Sequence, residues 1–180
     1  MESLRGHVLI SSAGLYDANF RHTVVLLAAH DAEGAVGVVL NRPLNATVRE
    51  AVPPLAGLVD ATAPLFQGGP VEPESPVLLA ELAHPELADV LAFGAVGFLV
   101  GQVSADLAPA ILRARVYAGY SGWGAGQLEA ELEQDAWIVD PARADDVFTD
   151  DPELLWSRIL ARKGPEFQQM ARVPFDPSMN

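Results

Sequence analysis

The chain contains no cysteine. That absence excludes structural disulfides, thiolate metal sites and thiol catalysis. It also fits a reducing compartment. Positive charge is scarce: 11 Lys and Arg stand against 24 Asp and Glu, for a formal net charge of -13. Lys163 is the single lysine. Phosphate backbones and anionic membranes repel such a chain. Arg113 and Arg115 form one arginine pair, too little for a groove-tracking basic patch. Direct nucleic-acid binding and a membrane partner are therefore not expected. Long apolar runs are missing as well. The longest, Val90–Gly101, is broken by Gly94 and Gly97, and a bilayer span takes about 20 residues. The opening MESLRGHVLISS lacks the apolar core of a secretory signal. A soluble, cytoplasmic protein is expected.

Catalytic and cofactor signatures are also lacking. His7, His22, His30 and His84 are the only histidines, and none forms the short-spaced pair typical of a zinc site. No metal and no cofactor is expected. Gly119-Tyr120-Ser121-Gly122 has the wrong spacing for a nucleophile elbow. Ser11, Ser12 and Ser121 read as small turn or strand residues. His30, beside Asp31 at a hairpin end, reads as a solvated turn residue. The sharper alternative is that it reaches a substrate or metal.

What is present begins with size. The 180 residues are half hydrophobic, enough for one packed domain over residues 1–180, with the tail after Arg172 frayed. The most unusual stretch is Gly119–Leu132, GYSGWGAGQLEAEL. Ahead of it, Ala114, Val116, Ala118 and Tyr120 alternate with Arg115, Tyr117, Gly119 and Ser121, the period of a strand. After it, Leu128 and Leu132 share a helical face, with Glu129 in the first turn where the helix dipole favours negative charge. Gly122-Trp123-Gly124-Ala125-Gly126 then reads as a tight strand-to-helix turn. Such a turn can hold an anion on free backbone amides. It can equally be a sharp bend that lets Trp123 pack inward. The spacing fits neither the dinucleotide fingerprint nor the P-loop.

Taken in order, His7–Ile10 is a short apolar run ended by Ser11, Ser12 and Gly14, and Asp17–Phe20 is a polar turn. Thr23–Ala29 and Ala35–Leu40 predict a hairpin around Asp31–Gly34. Pro43 cannot continue a central ladder. Thr47 and Glu50 form a capping-box pattern for one short helix, ended by Pro53 and Pro54. Leu65–Gln67 predicts a brief strand before Gly68-Gly69-Pro70, a turn that reverses direction or lines a pocket. Val77–Leu82, Val90–Phe93 and Ala95–Val100 predict further strands. A helix to Ala114 is predicted, capped by Ser104 or Asp106, with Asp106 favoured because Pro109 is tolerated only in the first turn. Ala136–Val139 predicts a strand. Asp151 caps a last helix that has Pro152 at its first position and stops at Gly164-Pro165. Leu155 with Ile159, and Trp156 with Leu160, give its apolar face.

The run VLISSAGLYDANFRHTVVLLAAHDAEGAVGVVLNRPL resembles the N-terminal signature of the YqgE/AlgH family. So do Gly68-Gly69-Pro70-Val71, the GYSGWGAGQLEAEL stretch and Leu155-Trp156. These elements stand in the family's order and cover nearly the whole chain. One departure is Ala13, where the pattern would have proline after the serine. The resemblance implies an α+β single domain: a mixed, largely antiparallel β-sheet curled toward a barrel and flanked by helices. It implies no settled activity and no established catalytic residues. One branch of the family bears a regulatory label linked to alginate synthesis.

Arg42 leaves a buried strand, and a buried arginine needs a carboxylate or carbonyl partner. Glu129 and Asp17 are the candidates, either as an ion pair locking the central helix to the sheet or as part of an anion site. The expected function is a non-enzymatic regulatory or protein-interaction module with protein partners. The alternative is a small-ligand binder or enzyme, using a cleft formed by Asn41, Arg42, Gly68, Gly69, Gly122, Gly124 and Gly126.

Overall fold

The computed structural model describes residues 2–12, 20–168 and 170. In chain order its strands are β1 (His7–Ser11), β2 (Val24–Asp31), β3 (Gly34–Val39), β4 (Pro43–Thr47), β5 (Pro64–Gln67), β6 (Val71–Leu82), β7 (Val90–Phe93), β8 (Val96–Leu99), β9 (Ile111–Gly124) and β10 (Trp137–Pro141). The helices are short: α1 (Val48–Ala51), α2 (Gln127–Glu133), α3 (Ala144–Val147), α4 (Leu155–Lys163) and α5 (Pro165–Gln168). The strands form one ten-stranded sheet in the order β10-β1-β2-β3-β9-β6-β8-β7, with the β4–β5 pair attached to β9. Every pairing is antiparallel except that of β5 with β9.

Strand β9 is the axis of this sheet. Its end, Ser121–Gly124, pairs with β3; its body pairs with β6; Tyr117 and Ala118 also pair with β5. At the far side, Ala92 and Val96 share a core with Val8 and Ile10, and β7 packs back on β2. Among the described residues no ladder joins β7 to β10. The sheet therefore curls toward a barrel without closing, the expected α+β architecture.

Alternation along the strands divides the core. Val24, Leu26, Val38 and Tyr117 point inward, where Val147, Leu155, Trp156, Ile159 and Leu160 of α3 and α4 cover them. Val25, Leu27 and Val39 point the other way, under Leu128 of α2. A third cluster packs Leu78, Ala80 and Val116 beneath Val48 of α1 and Leu55 of the following 3-10 turn. With both faces covered from Val24 to Leu27, β2 has no polar side to show there, which is why that stretch is continuously apolar.

Several local expectations hold. The Thr47 hydroxyl accepts from the Glu50 amide at 3.2 Å while the Glu50 carboxylate accepts from the Thr47 amide at 3.3 Å, a complete capping box. Leu155, Trp156, Ile159 and Leu160 form the buried face of α4.

Others are corrected. The helix expected from Asp106 to Ala114 is a 3-10 segment, Ala105–Ala110, capped by the Ser104 side chain, and β9 starts at Ile111. Pro109 lies inside that segment, where its missing N–H breaks an α-helical ladder, and the residues beyond find partners on β6. Asp151 makes no side-chain cap; a 3-10 turn, Pro152–Leu154, precedes α4. Strand β6 begins six residues early, at Val71, and accommodates Pro73 through a register shift between Val71 and Pro76. The glycine-rich turn is shorter than expected, because β9 runs through Gly122 to Gly124 and leaves Ala125–Gly126 as the bend. Ala13, most of the Asp17–Phe20 turn and the tail after Arg172 lie outside the described residues.

Candidate functional site

The residues singled out in the sequence occupy two places. Asn41, Arg42, Gly68 and Gly69 gather where β3 ends. The Asn41 side chain accepts from the Val24 amide at 3.0 Å and donates to the His22 carbonyl at 2.8 Å. Arg42 donates to the Arg21 carbonyl at 3.0 Å. The Gly68 carbonyl accepts from the Val39 amide and the Ser121 hydroxyl, and the Gly68 amide donates to Ala118. A Cβ on Gly69 would lie 2.2 Å from the Tyr120 carbonyl oxygen, so this glycine serves a close approach of two backbones.

Gly122 and Gly124 lie further along β9, in register with Val36 and Gly34 of β3. The Gly124 amide donates to the Gln127 side chain at 3.0 Å. Gly126 takes a left-handed conformation, φ 76°, as the residue before α2. Trp123 packs inward and is buried. Within the proposed anion turn, the Gly124 amide thus has its partner inside the fold, and Trp123 is packed rather than open to a ligand.

His30 is corrected: it is buried, not a solvated turn residue. Its Nδ1 accepts from the Leu4 amide at 2.9 Å, which requires a lone pair there and places the ring proton on Nε2. Nε2 then donates to the Glu129 carboxylate at 2.6 Å. That hydrogen bond holds the Glu129 carboxyl below the usual carboxylate range. Glu129 therefore joins α2 to the end of β2, rather than meeting Arg42. Asp17, the other candidate partner of Arg42, lies outside the described residues.

Two residues further along α2, Glu131 accepts from two indoles, Trp123 at 3.1 Å and Trp137 at 2.9 Å. Gln127 donates to its second oxygen at 3.0 Å. Phe20 stacks on Trp123 and meets Trp137 edge-on. One carboxylate thereby ties a helix to two strands, a role no local spacing announces.

A cleft of about 560 Å³ opens elsewhere, between residues 57–64, the start of β9 and the loop after α3. Arg113 and Arg115 lie in it, on the β9 face that also carries Tyr117. Arg113 is paired with two carboxylates. It donates to Glu81 at 2.9 Å and Asp145 at 3.2 Å, and its guanidinium lies 5.1 Å above the Phe148 ring. The Glu81 bond raises its pKa. Arg115 differs. It lies 4.8 Å over Phe66 and donates to the carbonyls of Val147 and Thr149. Burial lowers its pKa, with only partial compensation from Tyr117 and Asp150. Arginine nonetheless stays charged.

A second, more apolar cleft of about 470 Å³ lies over Leu55, Leu78 and Leu99. Among the described residues, no group of three His, Asp or Glu is placed to hold a metal ion, and no helix is long and apolar enough to cross a membrane.

The family profile described as DUF179, AlgH-like, matches residues 8–168. A UPF0301 protein of Streptomyces coelicolor is 40% identical over 187 residues, covering 100% of this chain and 97% of the relative. A UPF0301 protein of Chlorobaculum tepidum is 38% identical, covering 97% of this chain and 95% of its own. Among solved structures, a Corynebacterium diphtheriae protein superposes with a TM-score of 0.83 at 23% identity, covering 92% of this chain and 90% of that one; it speaks for the fold alone. The AlgH protein of Pseudomonas aeruginosa superposes with a TM-score of 0.71 at 28% identity, covering 94% of this chain and 93% of that one. With the curled sheet, the signature runs and these matches in agreement, the chain belongs to the AlgH-like, UPF0301 family.

Proposed function

We propose that the protein is a non-enzymatic regulatory or protein-interaction module of the cytoplasm. The observation that carries this reading is the state of His30. It is the one buried histidine among the described residues, and both its ring nitrogens have partners within the fold. A general base needs a nitrogen within reach of substrate. Ser121 is likewise buried and donates to the Gly68 carbonyl. A regulatory role of this kind works through protein contacts, because a chain of charge -13 is repelled by DNA.

A second reading, small-ligand binding, is favoured by the Arg115 cleft rather than by Asn41, Arg42, Gly68, Gly69, Gly122, Gly124 and Gly126. The hydrogen bonds at Asn41, Gly68 and Gly124 weaken the original location of that reading.

The experiment is a thermal-shift screen with metabolites, nucleotides and metal ions, followed by a turnover assay on every compound that shifts the midpoint. Binding without turnover is the expected result. Saturable turnover by the purified protein, abolished by a substitution on its surface, would overturn the non-enzymatic reading.

A further inference from the structure

We propose that the cleft around Arg115 binds a small organic monocarboxylate, with the carboxylate on the guanidinium and an apolar body along the cleft wall. The inference rests on the second reading above and gives it a ligand chemistry. Arg115 is half-buried, and its hydrogen bonds go to two neutral carbonyls, those of Val147 and Thr149. Among the described residues no carboxylate pairs with it, whereas Arg113, Arg158 and Arg162 each hold one. A guanidinium carries five donors in a planar fork that matches a carboxylate edge to edge. Phe66 beneath the fork and the Val147 and Thr149 carbonyls fix its plane, so little ordering remains for a ligand to impose.

The surroundings select the rest of the ligand. Phe66 and Phe148 lie buried behind the two guanidiniums, while Ile111 and Pro64 line the cleft and Leu112 is 61% exposed at its mouth. The volume of about 560 Å³ suits a small molecule. Asp60 and Asp150 also line the cleft and are exposed, as befits a rim. Together with the charge of -13 they repel a second or third negative charge. That discriminates against phosphates and nucleotides and leaves a single carboxylate as the favoured anion.

Hexanoate and benzoate are titrated into isotope-labelled protein and followed by amide chemical shifts. Hexanol and hexylamine serve as controls that keep the body and lose the carboxylate. The expected result is saturable, low-millimolar binding of both acids, with shifts confined to Phe66, Ile111–Arg115 and Phe148–Asp150. The controls should bind about tenfold more weakly or worse. Arg115→Gln should weaken the acids about tenfold. Because that change also releases two loop carbonyls, Leu112→Glu is the companion variant. Its side chain is exposed, so the unfolding midpoint should stay put while a like charge at the mouth weakens binding several-fold. Failure of both acids to saturate, shifts mapping elsewhere, or hexanol binding as well as hexanoate would each overturn the proposal. Turnover of either acid at this cleft would leave the binding site standing and sink the non-enzymatic reading instead.

Discussion

The Tyr117 hydroxyl is fully buried and has no hydrogen-bond partner among the described residues. Burial raises its pKa, so it stays a neutral phenol with an unused donor. Such a group costs about 1–3 kcal/mol of desolvation when left unsatisfied. Tyr117→Phe is therefore expected to leave stability unchanged or raise it by about 1 kcal/mol in urea unfolding. A loss of that size would reveal a buried partner such as water. Glu131 is the opposite case, a carboxylate whose acceptors satisfy two indoles. Glu131→Ala should cost about 2 kcal/mol and change the emission of Trp123 and Trp137, and Glu131→Gln, whose one oxygen can still accept from both indoles, should cost less. Equal stability in all three proteins would show that the clasp holds nothing.

At the scale of elements, α2 is seven residues long, too short to persist without tertiary contacts. Leu128, Glu129 and Glu131 supply those contacts. The folded state lowers the Glu129 pKa, chiefly through the hydrogen bond from His30. The folded state therefore favours the charged carboxylate. Its contribution is complete above the ordinary carboxylate range and fades as pH falls through the lowered value. The stability gap between the wild type and Glu129→Gln should be constant from neutral pH to about pH 5 and close below it. A gap that persists in strong acid would mean that the charge on Glu129 is irrelevant.

The same scale shows which elements the sequence makes legible. Period-two patterning locates β2, β3 and β9, and the Thr47–Glu50 spacing locates α1, because both signals are local. Pro109 suggests a first helical turn, yet the cross-strand partners of Ile111 on β6 decide against a helix. Those partners lie some thirty residues away, beyond any local window. His30 escapes the sequence for a similar reason: its ring partners are the Leu4 amide and Glu129, 99 residues distant in sequence.

For the whole molecule, net charge makes the clearest prediction. At -13 the protein should flow through immobilised DNA at physiological salt, and retention there would contradict a partner of protein type. The Arg115 cleft is also a whole-molecule property. Its walls come from residues 57–60, 62–64, 66, 111–115, 148, 150 and 152. No spacing motif joins those segments, so the sequence reveals Arg113 and Arg115 only as a pair too small for nucleic acid. The Asn41 and Gly68 region reads in the sequence as part of a candidate cleft, but the hydrogen bonds of Asn41 and Gly68 close on the fold itself.

Strand β9 has one consequence beyond the folded state. It is synthesised after β3, β5 and β6, and it is the shared neighbour of all three. On the ribosome, β5 and β6 keep an open edge until the body of β9 emerges, and β3 keeps one until Gly124 has left the exit tunnel. Before then a chaperone has apolar strand to protect.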